Sequence, residues 1–557
     1  MRAGALPALL GLVALAACSP GAPSRPPCPT HQLCLEYGNS SDPVSLDPAK
    51  TSLTTESTIL RDVLVGLVAD GQDGRPIPGV AERWETSPDG LVWTFHLRHS
   101  RWSDGEPVTA DDFVFAYRRM LEPNTASPYA YMLYLLKNGE AVNAGKAPPS
   151  ALGVQALDPQ TLVLTLEHPA PYLPQVLKHT SMYPVPRHAV QRWGEAWSDP
   201  AHYVANGAYR PSSWKLGDHV TVVRNPSFYD ADKLCIDRID YYPTNDAISA
   251  ERRIARGELD LNTSIQSNRV PYLRQPGHMP AFVRIHTYLA TTYVIFNGRD
   301  VPALKDLRVR QALSMAIDRE FITGKLLRAG QSPAYVFVPP GTADYPGSPL
   351  PAWAGWSLAR RQAEARRLLA AAGYGPRRPL HIELKLFNTS DPMLISPAIQ
   401  ADWKSVGVQA ELIQNETQIA YDSYRNRDFQ VALAAWVGDY NDAMSFLGLF
   451  QSATGAQNYG DYKNPAYDAV LAQADHEPDL QRRGAYLAKA EQMVLADAAI
   501  APLYFTVNRN LVRPDLSGWT DNLLDIHPSR YLCLPRPDGG RSSGPGAPGS
   551  SAGRPPS

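Results

Sequence analysis

Residues 91–121 read LVWTFHLRHSRWSDGEPVTADDFVFAYRRML, and this stretch predicts a strand, a turn and a helix in succession. Alternating apolar side chains, typical of a strand with one buried face, occur at Trp93, Phe95 and Leu97. An Asp-Gly pair at 104–105 predicts a turn, and Thr109 with Asp112 forms a capping-box pattern. Apolar residues then follow at helical spacing at Phe113, Ala116, Tyr117, Met120 and Leu121. We therefore expect an amphipathic helix that packs against a strand.

Helical and strand patterns continue to alternate along the chain without a sequence repeat. Apolar spacing predicts helices over residues 306–319 and 357–372, and short apolar runs at 293–296 and 429–433 predict strands. The chain has 557 residues, well above the usual ~100–150 residues of one domain. We therefore expect a mixed α/β protein with two or three lobes.

Composition and motifs exclude several classes of function. The chain carries 53 basic and 55 acidic side chains, and this near-neutral balance argues against a nucleic-acid partner. The sequence lacks the motifs of zinc peptidases, serine hydrolases and phosphate-binding loops. The 13 histidines are scattered, and none has a spacing that indicates a metal ligand set. We expect no enzyme activity, no cofactor and no metal.

The N-terminal residues predict export from the cytoplasm. A basic start precedes an apolar run at 5–15, and residues 15–18 read LAAC, which resembles the cleavage site of bacterial lipoproteins. We expect residues 1–17 to be a signal peptide and Cys18 to be lipidated. An ordinary signal peptide with an incidental cysteine is the alternative.

Both ends of the mature chain are expected to be tethers or tails. The predicted lipidated tether covers residues 18–42, and the tail at 535–557 is rich in Pro, Gly and Ser and is expected to be disordered. No second apolar segment approaches the ~20 residues needed to cross a membrane. The body should therefore lie in the cell envelope, facing the periplasm, held by lipid to an inner or outer membrane that the sequence does not distinguish.

Four cysteines remain besides Cys18, and an even number in an exported chain favours disulfides. Three pairings are open. We favour Cys28 with Cys34 and Cys235 with Cys533, because the second pair would fasten the C-terminal segment to the middle of the chain.

A carboxylate flanked by aromatic residues follows one predicted buried strand. Asp439 lies between Trp436 and Tyr440, directly after the apolar run at 431–435. An aspartate at the end of a buried strand can pair with a ligand ammonium, because an ion pair is stronger in a partly dry cleft. The alternative is that Asp439 caps a loop beside core aromatic residues.

The chain resembles the extracytoplasmic solute-binding proteins of peptide ABC transporters, oligopeptide-binding branch. The matching segments are residues 45–48 (SLDP), 102–105 (WSDG), 108–113 (VTADDF), 124–130 (NTASPYA), 206–209 (NGAY), 224–226 (RNP), 257–260 (GELD), 306–313 (DLRVRQAL), 439–441 (DYN) and 445–447 (SFL). They occur in order over nearly the whole body, so the resemblance is specific.

This resemblance implies a fold like that of type II periplasmic binding proteins. Two hinged lobes and a third, inserted domain would enclose a ligand cleft between the lobes. The implied ranges are domain I at 43–64, 189–288 and 508–534, domain II at 65–188, and domain III at 289–507. An extended peptide would lie between domains I and III and pair with the main chain of the protein.

The resemblance also assigns site residues. Asp439 would meet the α-ammonium of the peptide, Trp436 would shape a side-chain pocket, and Tyr129 would lie near the N-terminal end of the ligand. Tyr440 and Asn441 belong to the same motif as Asp439. The segment from Ser52 to Thr54 would contribute main-chain groups.

Some family positions differ in this chain. An arginine of the family is replaced by Leu433, a tryptophan by Thr417 and a histidine by Met393, which leaves the preferred peptide length and the recognition of the peptide C-terminus open.

The expected function is capture of short peptides by a lipid-anchored monomer and delivery to the permease of an ABC importer. Alternatives are capture of murein peptides or, from another class, a hydrolase or a scaffold lipoprotein. The sequence shows no cluster of histidines that would support capture of haem or nickel.

Overall fold

The computed structural model describes residues 27–263 and 265–536. The predicted signal peptide, Cys18 and most of the predicted tail lie outside these residues. Among the residues that the structure describes, no helix is both long enough and apolar enough to span a lipid bilayer.

Strands are distributed along the whole described chain. They are β1 (Cys34–Gly38), β2 (Val68–Asp70), β3 (Pro76–Pro78), β4 (Ala81–Thr86), β5 (Val92–Leu97), β6 (Val154–Asp158), β7 (Thr161–Thr165), β8 (Tyr209–Lys215), β9 (His219–Arg224), β10 (Arg238–Tyr242), β11 (Leu261–Asn262), β12 (Val283–Phe296), β13 (Ser332–Pro333), β14 (Leu380–Phe387), β15 (Val408–Asn415), β16 (Val431–Val437) and β17 (Ile500–Val512).

Helices occur between most of these strands. They are α1 (Thr54–Val63), α2 (Ala110–Leu121), α3 (Gly139–Asn143), α4 (Leu173–Leu177), α5 (Arg187–Trp193), α6 (Ala247–Ala255), α7 (Val270–Leu273), α8 (Pro302–Lys305), α9 (Leu307–Ala316), α10 (Arg319–Phe321), α11 (Leu358–Ala371), α12 (Ser390–Ser405), α13 (Thr417–Arg425), α14 (Met444–Leu447), α15 (Pro465–Asp475) and α16 (Leu480–Ala496).

One large mixed sheet connects the N-terminal, middle and C-terminal parts of the chain. Its strand order is β15-β14-β16-β12-β17-β11-β1-β10-β9-β8, and β13 also pairs with β17. The long antiparallel pair β12 and β17 runs from Val283 opposite Leu511 to Ile295 opposite Ile500. Strands β14 to β16 lie on one side of this pair, and β1 and β8 to β11 lie on the other. Strands β12 and β17 therefore join the two halves of the molecule.

A smaller four-stranded antiparallel sheet, in the order β4-β5-β7-β6, lies outside the large sheet. It contains the strand predicted from residues 91–97, and its alternating side chains Trp93, Phe95 and Leu97 are buried. Helix α2 begins at the predicted cap, where the Thr109 amide donates to Asp112 Oδ2 at 2.9 Å. The predicted strand, turn and helix are confirmed.

Two other predicted helices are present, one close to its predicted ends and one shorter than predicted. Helix α11 starts after the predicted cap Ser357 and ends just before Gly373, whose φ of +87° suits glycine. The helix predicted over 306–319 is shorter, because α9 ends at Ala316. Asp318 then caps α10 by accepting a hydrogen bond from the Phe321 amide, so the chain starts a new helical turn.

The predicted tether extends too far into the folded body. Residues 34–38 form β1, which is buried and pairs in parallel with both β10 and β11. Leu35 and Tyr37 supply apolar surface to the largest hydrophobic cluster, so this part of the chain can offset the entropy of ordering. The Pro- and Ser-rich composition that predicts a tether ends before β1.

Both disulfides have the pairing favoured from the sequence. Cys28 is bonded to Cys34, with the Cα atoms 5.9 Å apart, and Cys235 is bonded to Cys533, with the Cα atoms 5.2 Å apart. The second disulfide joins the loop before β10 to the C-terminal segment.

Candidate functional site

The loop that follows β16 carries the aspartate singled out in the sequence. The Gly438 amide donates to the Leu289 carbonyl of β12 at 2.8 Å. The Asp439 amide donates to Ser445 Oγ at 2.8 Å, and Trp436 Nε1 donates to the Ser445 carbonyl at 2.8 Å. Ser445 therefore fixes both Trp436 and Asp439, and the Asp439 carboxylate is left free for other contacts.

The Asp439 carboxylate accepts a hydrogen bond from a distant part of the chain. The Tyr131 hydroxyl donates to Asp439 Oδ2 at 2.7 Å. Tyr131 lies in a short 3-10 helix, Ala130–Leu133, and Tyr129 is the residue that precedes this helix. The rings of Tyr129 and Tyr131 lie 6.1 Å apart, so the two tyrosines form one aromatic wall beside the carboxylate.

No cationic partner neutralises this carboxylate within the described part of the chain. Burial raises the pKa of Asp439 to about 6, and the hydrogen bond from Tyr131 only partly opposes this effect. Burial, and then the negative charge of Asp439, raise the pKa of Tyr129 and of Tyr131. A half-buried carboxylate with one hydroxyl donor and no ion-pair partner is suited to receive a ligand cation.

Aromatic and cationic side chains surround the loop on its other side. The rings of Tyr440 and Tyr172 are stacked, with 5.9 Å between centroids and 7° between planes. The Arg483 guanidinium lies 4.2 Å from the centroid of the Tyr172 ring. It also donates to both oxygens of Asp442, at 2.6 and 2.9 Å. This buried ion pair holds the loop that carries Asp439.

Asn441 has a structural contact in this arrangement. Its Oδ1 accepts a hydrogen bond from the Ala343 amide at 3.0 Å. Asn441 therefore ties the loop after β16 to the irregular segment before α11. Its predicted role in ligand binding stays a prediction.

The segment from Ser52 to Thr54 lies at the start of α1. Both side chains are exposed, and the Ser52 amide donates to Glu56 Oε2 at 2.9 Å. The Ser57 hydroxyl of α1 lies 3.1 Å from the Thr180 hydroxyl, and the ring of the adjacent His179 lies 4.5 Å from the Tyr129 ring, so this end of α1 lies near the aromatic wall. Main-chain pairing of this segment with a ligand also stays a prediction.

The structure brings together Asp439, Trp436 and Tyr129 from the predicted set. It adds Tyr131, which was not among the predicted site residues although it lies two positions after Tyr129. The repeated tyrosine in the sequence Tyr-Ala-Tyr was the available signal, but only the fold shows which hydroxyl reaches Asp439.

A family model described as "Bacterial extracellular solute-binding proteins, family 5 Middle" matches residues 75–458. The chain belongs to this family. Among its relatives, the periplasmic oligopeptide-binding protein OppA of Salmonella typhimurium is 40% identical over 496 residues, covering 87% of this chain and 89% of the relative.

Solved structures of family 5 relatives have the same fold. The murein tripeptide-binding protein MppA of Escherichia coli superposes with a TM-score of 0.82 at 36% identity, covering 90% of this chain and 99% of that structure. OppA of Haemophilus influenzae, solved in complex with RPPGFSPFR, gives a TM-score of 0.81 at 32% identity with the same coverage. The predicted family and fold class are confirmed. The protein has the mixed α/β, multi-domain fold of type II periplasmic binding proteins.

Proposed function

We propose that this family 5 protein captures short peptides in a cleft between two lobes and delivers them to the permease of an ABC importer. The proposal rests on the environment of Asp439: its carboxylate is half-buried and has no cationic partner among the described residues. Its neighbours Tyr131 and Tyr129 provide a hydroxyl donor and an apolar wall. The α-ammonium of a peptide supplies the missing positive charge.

The mode of binding follows from these chemical groups. The ammonium pairs with Asp439, while the rest of the peptide lies extended and pairs through its main chain. Because main-chain groups are common to all peptides, such pairing does not depend on sequence. Trp436 lines one side-chain pocket, and Ser52 and Thr54 flank the main-chain groups that meet the ligand.

We further propose the lobe boundaries expected from the resemblance, with β1 added to domain I. Domain I then comprises residues 34–64, 189–288 and 508–534, domain II is 65–188, and domain III is 289–507. Strands β12 and β17 cross between domains I and III, which supports a hinge at this pair. The bond between Tyr131 and Asp439 joins domains II and III.

Murein peptides are a second candidate ligand class. The similarity to MppA supports this candidate. Leu433 also supports it, because this buried residue of β16 replaces an arginine that the oligopeptide-binding branch would use at the far end of the ligand. Ordinary peptides and murein peptides both offer an ammonium to Asp439. Direct competition between a murein tripeptide and tri- to pentapeptides separates the two classes.

Native mass spectrometry of the purified protein tests the proposed function. The small molecules that it releases on denaturation are then sequenced. A mixture of short peptides supports nutrient import, and a single mass containing diaminopimelate supports murein recycling. Absence of any bound peptide, even after incubation with a peptide mixture, contradicts both candidates.

We propose that the protein acts as a lipid-anchored monomer and not as an enzyme. Cys18 lies outside the described residues, so the anchor is tested chemically, by labelling with a fatty acid that Cys18→Ser abolishes. Sedimentation gives the oligomeric state. Accumulation of cleaved products from a peptide pool would support a hydrolase instead, and a protein that neither binds nor closes would support a scaffold.

A further inference from the structure

Two histidines and an aspartate from distant parts of the sequence converge beside the pair β12 and β17. His286 lies on β12, and Asp525 and His527 lie in the C-terminal segment after β17. The potential ligand atoms of these three side chains all lie within 4.8 Å of one another. The group shares no residue with the candidate peptide site.

The spacing of the ligand atoms suits one small cation. His286 Nε2 lies 3.2 Å from Asp525 Oδ1, and His527 Nε2 lies 2.8 Å from the same oxygen. Asp521 Oδ1 lies 3.9 Å from His286 Nε2, at the exposed rim of the group. In a tetrahedral zinc site with bonds of about 2.0–2.1 Å, neighbouring ligand atoms are separated by about 3.3 Å. The observed distances of 2.8, 3.2 and 3.9 Å lie on both sides of this value.

Neighbouring groups hold each of the three candidate ligands in place. His286 Nδ1 donates to the Thr287 carbonyl at 3.2 Å, which fixes the ring with Nε2 facing Asp525. Asn510, which is fully buried, donates through Nδ2 to Asp525 Oδ1 at 2.8 Å. The His527 ring stacks on Trp519, with 3.6 Å between centroids and 19° between planes.

The ligand types select the class of metal. Two imidazole nitrogens with one or two carboxylates favour zinc and related divalent first-row ions over calcium or magnesium, which prefer oxygen ligands alone. Asp521 and Asp525 together neutralise the charge of such an ion. The four cysteines in the described body form disulfides, so they leave no thiolates to compete for it.

We propose that His286, Asp525 and His527, with Asp521 as an outer ligand, bind one divalent transition-metal ion of the zinc class. Spacing along the sequence predicts no metal site, because His286 is far in sequence from Asp525 and His527 and only the fold brings the three together. The bound ion ties the strand that crosses between the lobes to the C-terminal segment. It therefore stabilises the region around the proposed hinge.

Isothermal titration of the chelator-treated protein with zinc chloride tests the proposal. The protein must lack a histidine tag, which would bind zinc itself. We expect saturable binding of one ion per chain and a melting temperature that rises with zinc concentration. Cobalt in place of zinc reports the ligand geometry through its visible absorption.

Substitution of the ligands assigns the site. His286→Gln and His527→Gln should each weaken zinc binding by about tenfold or more. The matched control is His188→Gln, because His188 also contacts an aspartate, Asp104, at 2.7 Å but lies on the surface without a second histidine. The control should bind zinc as the parent protein does.

Two results would overturn the proposal. One is the absence of saturable zinc binding by the parent protein. The other is unchanged affinity in both histidine variants when circular dichroism shows them folded. If the buried substitutions prevent folding, Asp521→Asn replaces them, since Asp521 is exposed and its loss should still weaken zinc binding measurably.

Discussion

The Tyr131 hydroxyl donates a 2.7 Å hydrogen bond to Asp439 Oδ2 across a sequence separation of 308 residues. In the proposed domain arrangement, this bond joins the inserted domain to domain III. The same carboxylate is the proposed receptor for the peptide ammonium. Tyr131 therefore links the proposed ligand-binding carboxylate to the relative position of the inserted domain and domain III.

Tyr131→Phe should weaken binding of free-amine peptides severalfold at neutral pH, because the hydrogen bond from Tyr131 lowers the pKa of Asp439 and so helps to keep the carboxylate ionised. The substitution keeps the ring and removes only the donor. Calorimetry with a tripeptide measures the effect. Tyr134→Phe is the matched control, because the Tyr134 hydroxyl donates to Asn143 at an exposed position. Equal affinities for parent and Tyr131→Phe would contradict a role for this hydroxyl in the binding site.

Peptide binding should weaken as the pH falls through the pKa of Asp439. Burial raises this pKa to about 6, so the carboxylate is ionised at neutral pH and loses its charge below that value. Affinity for a free-amine peptide should fall by about tenfold when the pH drops one unit below the pKa. Titrations at several pH values check this trend. In Asp439→Asn the pH dependence should largely disappear, and an unchanged profile would assign the dependence to another group.

The unliganded Asp439→Asn protein should be more stable than the parent at neutral pH. Burial raises the native pKa of Asp439 above the ordinary value of 3.8, so folding favours the neutral acid. The stability linked to this group is present below the unfolded pKa and is lost as the pH rises through about 6. Asparagine removes this cost, and we expect a gain of roughly 1–2 kcal/mol. Urea unfolding of both proteins without ligand measures it, and a loss of stability would contradict the unpaired state of Asp439.

Loss of the disulfide between Cys235 and Cys533 should destabilise the protein more than loss of the one between Cys28 and Cys34. The paired cysteines are separated by 298 and 6 residues, respectively. Loop-closure entropy assigns about 2 kcal/mol to the short loop and about 5–6 kcal/mol to the long one. Melting temperatures of the two double alanine variants test this order. The reverse order would indicate that native packing, and not chain entropy, dominates.

Local sequence signals predicted those elements whose stability depends on their own residues. Trp93, Phe95 and Leu97 alternate because one face of β5 is buried, and Thr109 with Asp112 satisfies the first amides of α2. These patterns can be read without knowledge of the rest of the chain. The position of Asp439 after a buried strand was predictable for the same reason.

Contacts between distant segments were not predictable from residue patterns. Tyr131 meets Asp439, and His286 meets Asp525, only because the chain folds several segments onto one another. The hydrogen bond that Asn441 accepts from the Ala343 amide is another such contact, between residues 98 positions apart. Spacing along the sequence carries no information about such pairs.

The central claim is that Asp439 receives the α-ammonium of a peptide, and calorimetry with two forms of one tripeptide tests it most directly. One form has a free N-terminus and the other is N-acetylated. The parent protein should prefer the free form by on the order of a hundredfold, because acetylation leaves the half-buried carboxylate without a partner. Asp439→Asn should lose this preference, whereas Glu411→Gln, an exposed control on β15, should retain it. Equal binding of both forms by the parent protein, or an undiminished preference in Asp439→Asn, would contradict the account.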